Sequence, residues 1–399
     1  ASFVQIQDRE GRIQVYLRKD LVGEDAFRSF KNMDIGDFIG VRGKVFRTKT
    51  QELTLQAQTF ELVTKSLRPL PEKWHGLTDI ETRYRHRSLD LIANPRAREI
   101  FLTRIRVLQW FRDFFIKRGF MEVETPMMHP IPGGAAAKPF VTHHNALDMD
   151  LYLRIAPELH LKRYVVGGLE RVFEINRNFR NEGLSTHHNP EFPMLEFYQA
   201  YADYTDLMPF TEELLGEVAR SAVGSDEVTY GDRTISFKPP FRRVSLREAS
   251  REAAAKRIGI DVAMSDLRNT ESAVALGRRL GLQVTPSMSA GHVTAHIFES
   301  LCEDDLIEPT FVYDFPTEVS PLAKQKPDDP DTVERFELYI GGFEVANAFS
   351  ELNDPVEQQR RFEEQLRQRA GGDEEAHAMD EDYVRALEFG MPPAAGEGI

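Results

Sequence analysis

The chain has 399 residues and a formal net charge of −14, with 41% hydrophobic and 29% charged residues. This length accommodates two or three domains with substantial cores, and the composition is that of an ordinary globular protein. The acidic balance argues against a surface that attracts nucleic acid everywhere, although local basic patches are compatible with it. The single cysteine, Cys302, excludes a disulfide framework and a cysteine-based zinc site.

Membrane and secretion signals are not found in the sequence. No apolar run reaches the roughly 18–20 residues that a helix needs to span a bilayer. Residues 1–8 alternate in polarity and lack the basic and apolar regions of a secretory signal. We therefore expect a cytoplasmic protein with no membrane contact.

Residues 1–64 predict β structure, because short runs of alternating polarity are separated by turn residues. The runs lie at 3–6, 12–17, 38–45 and 53–57. This spacing suits a small barrel with a basic turn that contains Arg47 and Lys49. An OB-type barrel binds single-stranded nucleic acid through aromatic and basic side chains on its strands. Taken by itself, the stretch fits a generic β module with surface lysines equally well.

The rest of the chain predicts a mixed domain. A proline-marked basic segment at 66–77 indicates an interdomain linker, and apolar residues at three- and four-residue steps predict a helix from Ala97 to Arg118 that ends at Gly119. Strands are predicted at 121–125, 151–155, 171–179, 192–201, 310–314 and 333–349, and helices at 157–166, 205–222, 246–257, 264–282, 292–302 and 355–370. Such an uneven mixture favours an α+β domain around an antiparallel sheet.

The first group of candidate functional residues lies around "ERVFEINRNFRNEG" at 170–183. Alternation places Arg180 and Glu182 on one face of a predicted strand, and the following loop supplies His188 and Asn189. A guanidinium can bind a phosphate and a carboxylate, and Phe192 can stack on a base. A surface ion pair between Arg180 and Glu182 is the ordinary structural alternative.

The second group lies in "VERFELYIGGFEVANAFSELND" at 333–354, where Gly341 and Gly342 predict a hairpin turn. Folding about that turn places Tyr339 opposite Glu344 and Glu337 diagonal to Glu344. Two facing carboxylates repel unless a cation lies between them, and Mg²⁺ accepts carboxylate and phosphate oxygens together. An exposed, charged edge hairpin is the alternative. Glu351 has the wrong parity for this face, so a bulge or bend must intervene if it joins the same site.

At these residues the chain resembles class II aminoacyl-tRNA synthetases, specifically the lysyl-tRNA synthetase family of the bacterial type. The most specific segments are "ETRYRHRSLDLI", "RGFMEVETPMM", "IPGGAAAKPFVTHHNALDMDLYLRIAPELHLKR", "RVFEINRNFRNEG" and "FSELND". The resemblance covers almost the whole chain. It implies an OB-fold anticodon-binding domain at 1–65, a linker and the start of the catalytic domain at 66–96, and a catalytic domain with an antiparallel sheet at 97–399.

The resemblance also implies roles for individual residues. Arg180 would bind the α-phosphate and the lysine carboxylate, and Mg²⁺ would be held by Glu337 and Glu344. Adenine would be bound by Glu182, His188, Asn189 and Phe192. The α-amino group of lysine would meet Glu158 and the carbonyl of Gly134, with Asn347 on the carboxylate side. The ε-ammonium would be bound by Glu196, Tyr198 and Glu351, because buried carboxylates favour a cationic tip over a neutral one.

The activity implied by the resemblance is ATP-dependent activation of L-lysine and its transfer to the 3′ end of tRNA(Lys), in a homodimer formed through residues of about 97–126. The family's third motif would begin at "AAGEGI" and continue to an arginine that contacts ATP, which the sequence does not reach. We therefore expect a chain that is shortened at both ends. Two alternatives stay open: a relative that lysylates a non-tRNA acceptor, and a non-catalytic RNA-binding relative.

Overall fold

Four strands in the N-terminal part of the chain form one sheet, in the order β1–β2–β4–β3. Their bounds are Ser2–Gln7 (β1), Arg12–Leu17 (β2), Phe38–Arg47 (β3) and Leu53–Thr64 (β4). All neighbours are antiparallel except β2 and β4, which are parallel. The four predicted runs are confirmed as strands. Alternation along them buries Val15, Leu17, Ala57 and Phe60 in a small core.

The prediction that residues 1–64 are β structure throughout is wrong between β2 and β3. Two helices lie there, Lys19–Val22 (α1) and Glu24–Lys31 (α2). Glu24 and Asp25 occupy the first turn of α2, where acidic side chains stabilise a helix. Phe27 and Phe30 lie on one side of α2 and pack against the core of the sheet. Because this amphipathic segment has fewer than three turns, its period-3.6 signal is easily missed beside the strands.

The computed structural model describes residues 1–70, 77–183, 185, 188–370 and 378–399. Residues 71–76 of the predicted linker lie outside these ranges. The chain divides into two compact units, residues 1–104 and 105–399. The first unit also contains the helices Ile80–Arg85 (α3) and Arg87–Ala93 (α4), and helix α5 extends over Pro95–Lys117. The three-domain division with boundaries at 65 and 96 stays a prediction.

An eight-stranded sheet organises the second unit, in the order β13–β14–β17–β18–β19–β10–β9–β5. The bounds of these strands are Met121–Glu122 (β5), Arg171–Phe179 (β9), Glu191–Ala200 (β10), Arg242–Ser245 (β13), Thr310–Tyr313 (β14), Arg335–Tyr339 (β17), Glu344–Ser350 (β18) and Ala394–Gly398 (β19). All neighbouring strands are antiparallel except the outermost pair at each edge. The predicted α+β fold with an antiparallel sheet is confirmed.

Three smaller sheets accompany the large one. One contains Met128–His129 (β6), Val141–His144 (β7) and Met149–Leu153 (β8). The two hairpins are formed by Glu227–Tyr230 (β11) with Arg233–Ser236 (β12), and by Gln325–Lys326 (β15) with Asp329–Val333 (β16). The sequence did not predict β11 and β12 because their short runs lack strong alternation.

Seven helices begin after residue 105 in the described part of the second unit. They are Glu158–Val166 (α6), Tyr204–Val223 (α7), Leu246–Ile258 (α8), Thr270–Arg279 (α9), Ala290–Leu301 (α10), Pro355–Ala370 (α11) and Glu381–Glu388 (α12). The predicted helix at 264–282 is divided into a 3₁₀ turn at Met264–Leu267 and helix α9. The Asn269 side chain caps the start of α9 by accepting a hydrogen bond from the Ser272 amide. Across the described residues, no helix is long and apolar enough to cross a membrane.

An aromatic cluster packs α5 and α7 against one face of the large sheet. The Phe115 ring lies 5.0 Å from Phe173, 4.9 Å from Phe197 and 5.7 Å from Phe210 between ring centroids. Removing one such buried ring costs about 3–5 kcal/mol of stability. Because strand side chains alternate, the neighbours of Phe173 and Phe197 in β9 and β10 point to the opposite face. That face carries the candidate site.

Candidate active site

The registers of four neighbouring strands align two rows of residues on the face opposite the aromatic cluster. The first row, from β17 to β10, consists of Glu337, Asn347, Gly398 and Glu196. The second row consists of Arg335, Phe349, Gly396 and Tyr198. With roughly 4.8 Å between neighbouring strands, each row extends over roughly 14 Å. The rows form the floor of a cleft of about 530 Å³.

Two glycines of β19 keep this floor open. A Cβ on Gly396 would collide with the Tyr198 ring and with the carboxylate of Glu351. A Cβ on Gly398 would collide with the side chain of Met194. Any side chain at either position would therefore fill the centre of the cleft, between its two charged ends.

Three buried carboxylates converge at one end, which we call the amino-acid end. Glu158 at the start of α6 and Glu196 on β10 line the cleft, whereas Glu351 after β18 lies just behind its lining, beside Gly396. The Tyr198 hydroxyl donates to Oε1 of Glu196 at 2.7 Å. Gly134 has a φ of 89°, and a Cβ there would lie 3.2 Å from that of Glu158. The loop backbone can follow this path closely because glycine tolerates the left-handed region.

Burial and mutual repulsion change the titration of these carboxyls. Burial, reinforced by the charge of Glu158, raises the pKa of Glu196 to about 8. Burial likewise raises the pKa of Glu351, although the nearby Lys162 ammonium opposes it. Among the described residues, no hydrogen-bond donor reaches Oε1 of Glu351. The carboxyls of the amino-acid end are therefore unfavourable as anions in the free protein, and a cation placed beside them would favour their ionised forms.

Two glutamates on the central hairpin mark the opposite end, which we call the phosphate end. Glu337 accepts from Arg335 Nη2 at 2.5 Å and from the Tyr339 hydroxyl at 2.6 Å. Glu344 is solvent-accessible at the rim, but the surrounding protein partly desolvates it, and this effect together with the charge of Glu337 raises the pKa of its carboxyl to about 8. Negative charge is therefore unfavourable at Glu344 unless a cation is nearby.

A β-bulge in the hairpin decides which residues share this face. Tyr339 pairs with Glu344 as predicted, but the register then shifts, so that Glu337 lies directly opposite Asn347. Because Tyr339 still pairs with Glu344, Glu337 lies diagonal to Glu344 as predicted. The extra residue, Val345, reverses the parity of β18 and brings Glu351 to the site face. The bulge that Glu351 required is confirmed.

Arg180 lies in the cleft beside Phe192. Its guanidinium is 5.2 Å from the centroid of the Phe192 ring, and its Nε donates to the carbonyl of Ile155 at 3.4 Å. The prediction that Arg180 and Glu182 share a strand face is wrong, because β9 ends at Phe179. The Asn181 amide instead donates to the carbonyl of Lys138 at 2.7 Å, which turns the chain away from the sheet.

The cleft does not bring together every predicted residue. In the described part of the loop after β9, Glu182, His188 and Asn189 are exposed and lie outside the cleft lining. His188 Nδ1 instead lies 2.8 Å from the Ser185 hydroxyl. Among the described ion pairs, none joins Arg180 to Glu182. The alternative interpretation, a surface ion pair between these two residues, is therefore also wrong.

Sequence reasoning missed two cations of the site. Arg335 contacts Glu337 and donates through Nε to Oδ1 of Asn347 at 3.0 Å. Lys162 is fully buried and donates to Oε1 of Glu158 at 2.5 Å. The four-residue spacing of Glu158 and Lys162 is a signal that could have found this pair, since such residues are neighbours on a helix.

The residues at the phosphate end fit a hard divalent cation. Within the described ranges, no group of three or more His, Cys, Asp or Glu side chains is arranged to hold a metal ion. Mg²⁺ typically takes one or two carboxylates and completes its shell with phosphate oxygens and water. Glu337 and Glu344 provide such a pair, and desolvation together with the charge of Glu337 raises the pKa of Glu344, so a nearby cation would favour its ionised form.

Comparisons with known proteins agree with this geometry. Residues 79–399 match the model of the family described as tRNA synthetases class II (D, K and N), and residues 1–63 match the OB-fold nucleic acid binding domain. The lysine–tRNA ligase of Carboxydothermus hydrogenoformans is 57% identical over the whole chain and 80% of its own length. Those of Moorella thermoacetica and Bacillus subtilis are 55% and 52% identical over the whole chain, covering 80% and 79% of their own lengths. The chain belongs to the class II tRNA synthetases of the D, K and N group.

Proposed function

We propose that this chain activates L-lysine with ATP and transfers the lysyl group to the 3′ end of tRNA(Lys). Its relatives at 52–57% identity carry the name lysine–tRNA ligase. The observation that carries the proposal is the amino-acid end of the cleft, where Glu196, Tyr198 and Glu351 lie together and buried. Buried carboxylates without sufficient counter-charge are costly, and a substrate ammonium removes that cost.

Lysine binding follows from the placement of these groups. Glu196, Tyr198 and Glu351 receive the ε-ammonium, and the open Oε1 of Glu351 accepts one of its protons. Glu158 and the carbonyl of Gly134 receive the α-amino group, and Asn347 lies on the carboxylate side. A neutral side chain of the same length would leave the carboxylates unpaired, so the pocket selects lysine by charge.

ATP binding uses the phosphate end and the β9–β10 region. Arg180 binds the α-phosphate and the lysine carboxylate, since a guanidinium bonds either group in a bidentate manner. Phe192 stacks on the adenine. The proposal also assigns adenine contacts to Glu182, His188 and Asn189, which requires these three exposed residues to approach the bound nucleotide.

Glu337 and Glu344 hold Mg²⁺ in this proposal, and the ion neutralises the ATP phosphates when bound. Arg335 fixes Glu337 from one side, and Tyr339 fixes it from the other. The Glu337 side chain is therefore oriented before ATP arrives, which reduces the reorganisation that binding requires.

The chemistry needs alignment rather than a covalent enzyme intermediate. A carboxylate oxygen of lysine forms a bond to the α-phosphorus while the bond to the β-phosphate oxygen breaks, and pyrophosphate leaves. Arg180 stabilises the charge on the α-phosphate during this step. In the second step the terminal 3′ hydroxyl of tRNA attacks the lysyl carbonyl, AMP leaves with the electrons of the broken carbon–oxygen bond, and the hydroxyl proton is released.

The N-terminal sheet supports tRNA as the acceptor. The Phe3 ring is 56% exposed and stacks on Tyr16 at 4.7 Å, and Phe46 lies 6.2 Å from Tyr16. Strand registers place Lys44 in the same row as Phe3 and Tyr16. Exposed rings beside a basic side chain bind unstacked bases and the backbone of single-stranded nucleic acid. We assign this face to the anticodon.

Homodimer formation and a cytoplasmic location belong to the same proposal. Apolar side chains of α5 and the segment after it are exposed, among them Ile105 at 61%, Ile116 at 56% and Met128 at 55%. Apolar surface of this kind favours a subunit interface. Sedimentation analysis of Ile105→Asp tests it: we expect a monomer in place of a dimer.

Lysine-dependent exchange between ATP and pyrophosphate tests the first step, and charging of tRNA tests the second. We expect both activities in the full-length protein, with lysine strongly preferred over ornithine and arginine. Exchange without tRNA charging, but with lysine transfer to protein, would instead identify a relative with a different acceptor. Absence of exchange with retained tRNA binding would identify a non-catalytic RNA-binding protein.

A further inference from the structure

A lysine of the chain itself lies buried behind the amino-acid end of the cleft. Lys162 is 0% exposed and lies one helical turn after Glu158 on α6. Its Nζ donates to Oε1 of Glu158 at 2.5 Å and forms an ion pair with Glu351. The nitrogen also lies 6.0 Å from the centroid of the Tyr198 ring and 5.2 Å from that of Phe349. Two carboxylates and two aromatic rings therefore surround one buried ammonium.

The two carboxylates joined by Lys162 come from distant parts of the chain. Glu158 begins α6, whereas Glu351 directly follows β18. In the proposed complex they meet opposite ends of the substrate, the α-amino group and the ε-ammonium. Flexible glutamate side chains lose conformational freedom when they are fixed, and a shared buried partner removes that freedom before lysine binds.

The charge balance of the pocket gives Lys162 a second role. The amino-acid end contains three carboxylates, Glu158, Glu196 and Glu351, and Lys162 balances one of them. Two remain for the substrate, and L-lysine brings two ammonium groups. Without Lys162 the pocket would contain one more buried carboxylate than the substrate can neutralise, and that carboxyl would take up a proton instead.

We propose that Lys162 is a positioning residue that holds Glu158 and Glu351 in place and leaves the pocket two negative charges for the two ammonium groups of lysine. This inference rests on the proposed function. Lys162 touches no part of the substrate in this scheme and acts through the two glutamates.

The titratable groups around Lys162 predict a pH signature. Glu158 faces it from α6, Glu196 and Tyr198 from β10, and Glu351 from the end of β18. Tyr383 faces it from α12. Burial by itself would lower the pKa of Lys162, but Glu158 and Glu351 raise it, so it stays charged. In return, Lys162 opposes the rise that burial imposes on the pKa of both glutamates.

The test compares Lys162→Met with the wild-type full-length protein, using calorimetry for L-lysine binding and exchange kinetics for both substrates. We expect the Kd and the KM for lysine to rise about 10- to 100-fold, since the variant loses the hydrogen bond and ion pair that hold two charged glutamates. The KM for ATP should change by less than about threefold, since the residues proposed to bind ATP keep their side chains and contacts. The acid limb of kcat/KM for lysine should move up by about one pH unit, because both glutamates lose a cationic neighbour.

Arg163→Met is the matched control. Arg163 is the next residue of α6, and its Nη2 donates to both carboxylate oxygens of Asp380 at 2.9 and 2.8 Å, outside the cleft. Its loss removes a partly buried ion pair from the same helix, so stability should fall while the Kd for lysine changes by less than about twofold. A loss of stability by itself therefore does not produce the expected result.

The outcomes separate the inference from the function on which it rests. Unchanged or tighter lysine binding in Lys162→Met would overturn the inference, since loss of the ammonium that holds Glu158 and Glu351 would then be neutral or favourable for binding the two ammonium groups of lysine. If Lys162→Met does not fold, Lys162→Gln, which keeps one donor without the charge, takes its place. Failure of both to fold would assign Lys162 to stability and would also overturn it. Wild-type protein that binds lysine without exchange would reject the proposed function and leave the binding test intact.

Discussion

The two ends of the cleft differ in how much of their arrangement exists before substrates bind. At the amino-acid end, Glu158, Glu196 and Glu351 are all buried, and a buried lysine contacts two of them. At the phosphate end, Glu337 has fixed partners, but Glu344 is exposed. The described residues that are proposed to contact adenine from the loop after β9, Glu182, His188 and Asn189, are exposed as well. The groups proposed to bind the amino acid are thus already in place, whereas some of the groups proposed to bind the nucleotide are exposed.

This difference corresponds to what each substrate must supply. Amino acids resemble one another closely, so a fixed set of charges is needed to select one of them. ATP is large and carries its own charge, so it can organise flexible parts of the site by binding to them. We therefore expect substitutions at the amino-acid end to affect lysine selectively. Substitutions at the exposed residues proposed to contact adenine should have smaller effects that are confined to ATP.

Arg180→Ala should have the largest effect, because the proposed function assigns to Arg180 both the α-phosphate and the lysine carboxylate. We expect the rate of lysine-dependent exchange between ATP and pyrophosphate to fall by about a thousandfold or more. A fall of this size is typical when an enzyme loses a main hydrogen-bond donor that stabilises charge in the transition state. The far-ultraviolet circular dichroism should be unchanged, since the side chain is only half-buried at the cleft wall. Near-normal exchange in a folded variant would contradict the assignment of the site.

Glu351→Gln should affect one end selectively. We expect the KM for lysine to rise about 10- to 100-fold, because a buried charged hydrogen-bond acceptor is lost, while the KM for ATP stays within about threefold. Glu364→Gln is the control, since Glu364 forms an exposed pair with Arg367 on α11 and such pairs contribute about 0–1 kcal/mol. Equal increases in both KM values would contradict the distinction between the two ends.

The pH dependence of lysine binding should also come from the amino-acid end. The raised pKa of Glu196, about 8, means that its protonated form stabilises the free protein fully below its ordinary value of about 4.5. That contribution is lost as the pH rises through about 8. In the proposed function, lysine binds the ionised form of Glu196, so the affinity for lysine should increase over the same pH range. The Tm increase caused by lysine should therefore be larger at pH 8.5 than at pH 6.5, by the amount expected when binding releases about one proton.

Glu397→Gln provides the control for this pH effect. Burial raises the pKa of Glu397 to about 8 as well, but its carboxylate accepts from the Thr211 hydroxyl at 2.6 Å on α7. Its replacement should leave the pH dependence of lysine binding as it is in the wild type. Glu196→Gln should reduce that dependence and weaken binding. The same dependence in both variants would show that Glu196 does not bind the ammonium.

Much of this molecule could be predicted from alternation and helical periodicity. The strands around Glu196 and the hairpin turn at Gly341 and Gly342 follow local rules, since both depend on residues near in sequence. Even the bulge could be deduced, because Glu351 could reach the site only if the parity of β18 changed. The pairing of Glu158 with Lys162 was within reach of the same helical rules.

Other features depend on contacts between distant parts of the chain. The strand predicted at 171–179 is confirmed, but Arg180 and Glu182 lie beyond its end and do not share its face, because the amide of Asn181 bonds to the carbonyl of Lys138. No local pattern encodes that hydrogen bond. The alignment of Glu337 with Glu196 across β17, β18, β19 and β10 likewise requires the strand order of the sheet. Sequence patterns identify faces of single elements, and topology decides which faces meet.

Glu182→Gln should have the smallest effect and gives the closest test of the open end. Glu182 is exposed and makes no contact with the cleft in the described structure, so fold and stability should be unchanged. If Glu182 approaches the bound adenine, the KM for ATP should rise by about three- to tenfold with the KM for lysine unaltered, as for loss of one hydrogen bond. An unchanged KM for ATP would remove Glu182 from the nucleotide site. If Glu182→Gln instead raises the KM for ATP as much as Glu351→Gln raises the KM for lysine, the two ends of the cleft are equally ordered in the working complex. That result would contradict the contrast between the two ends.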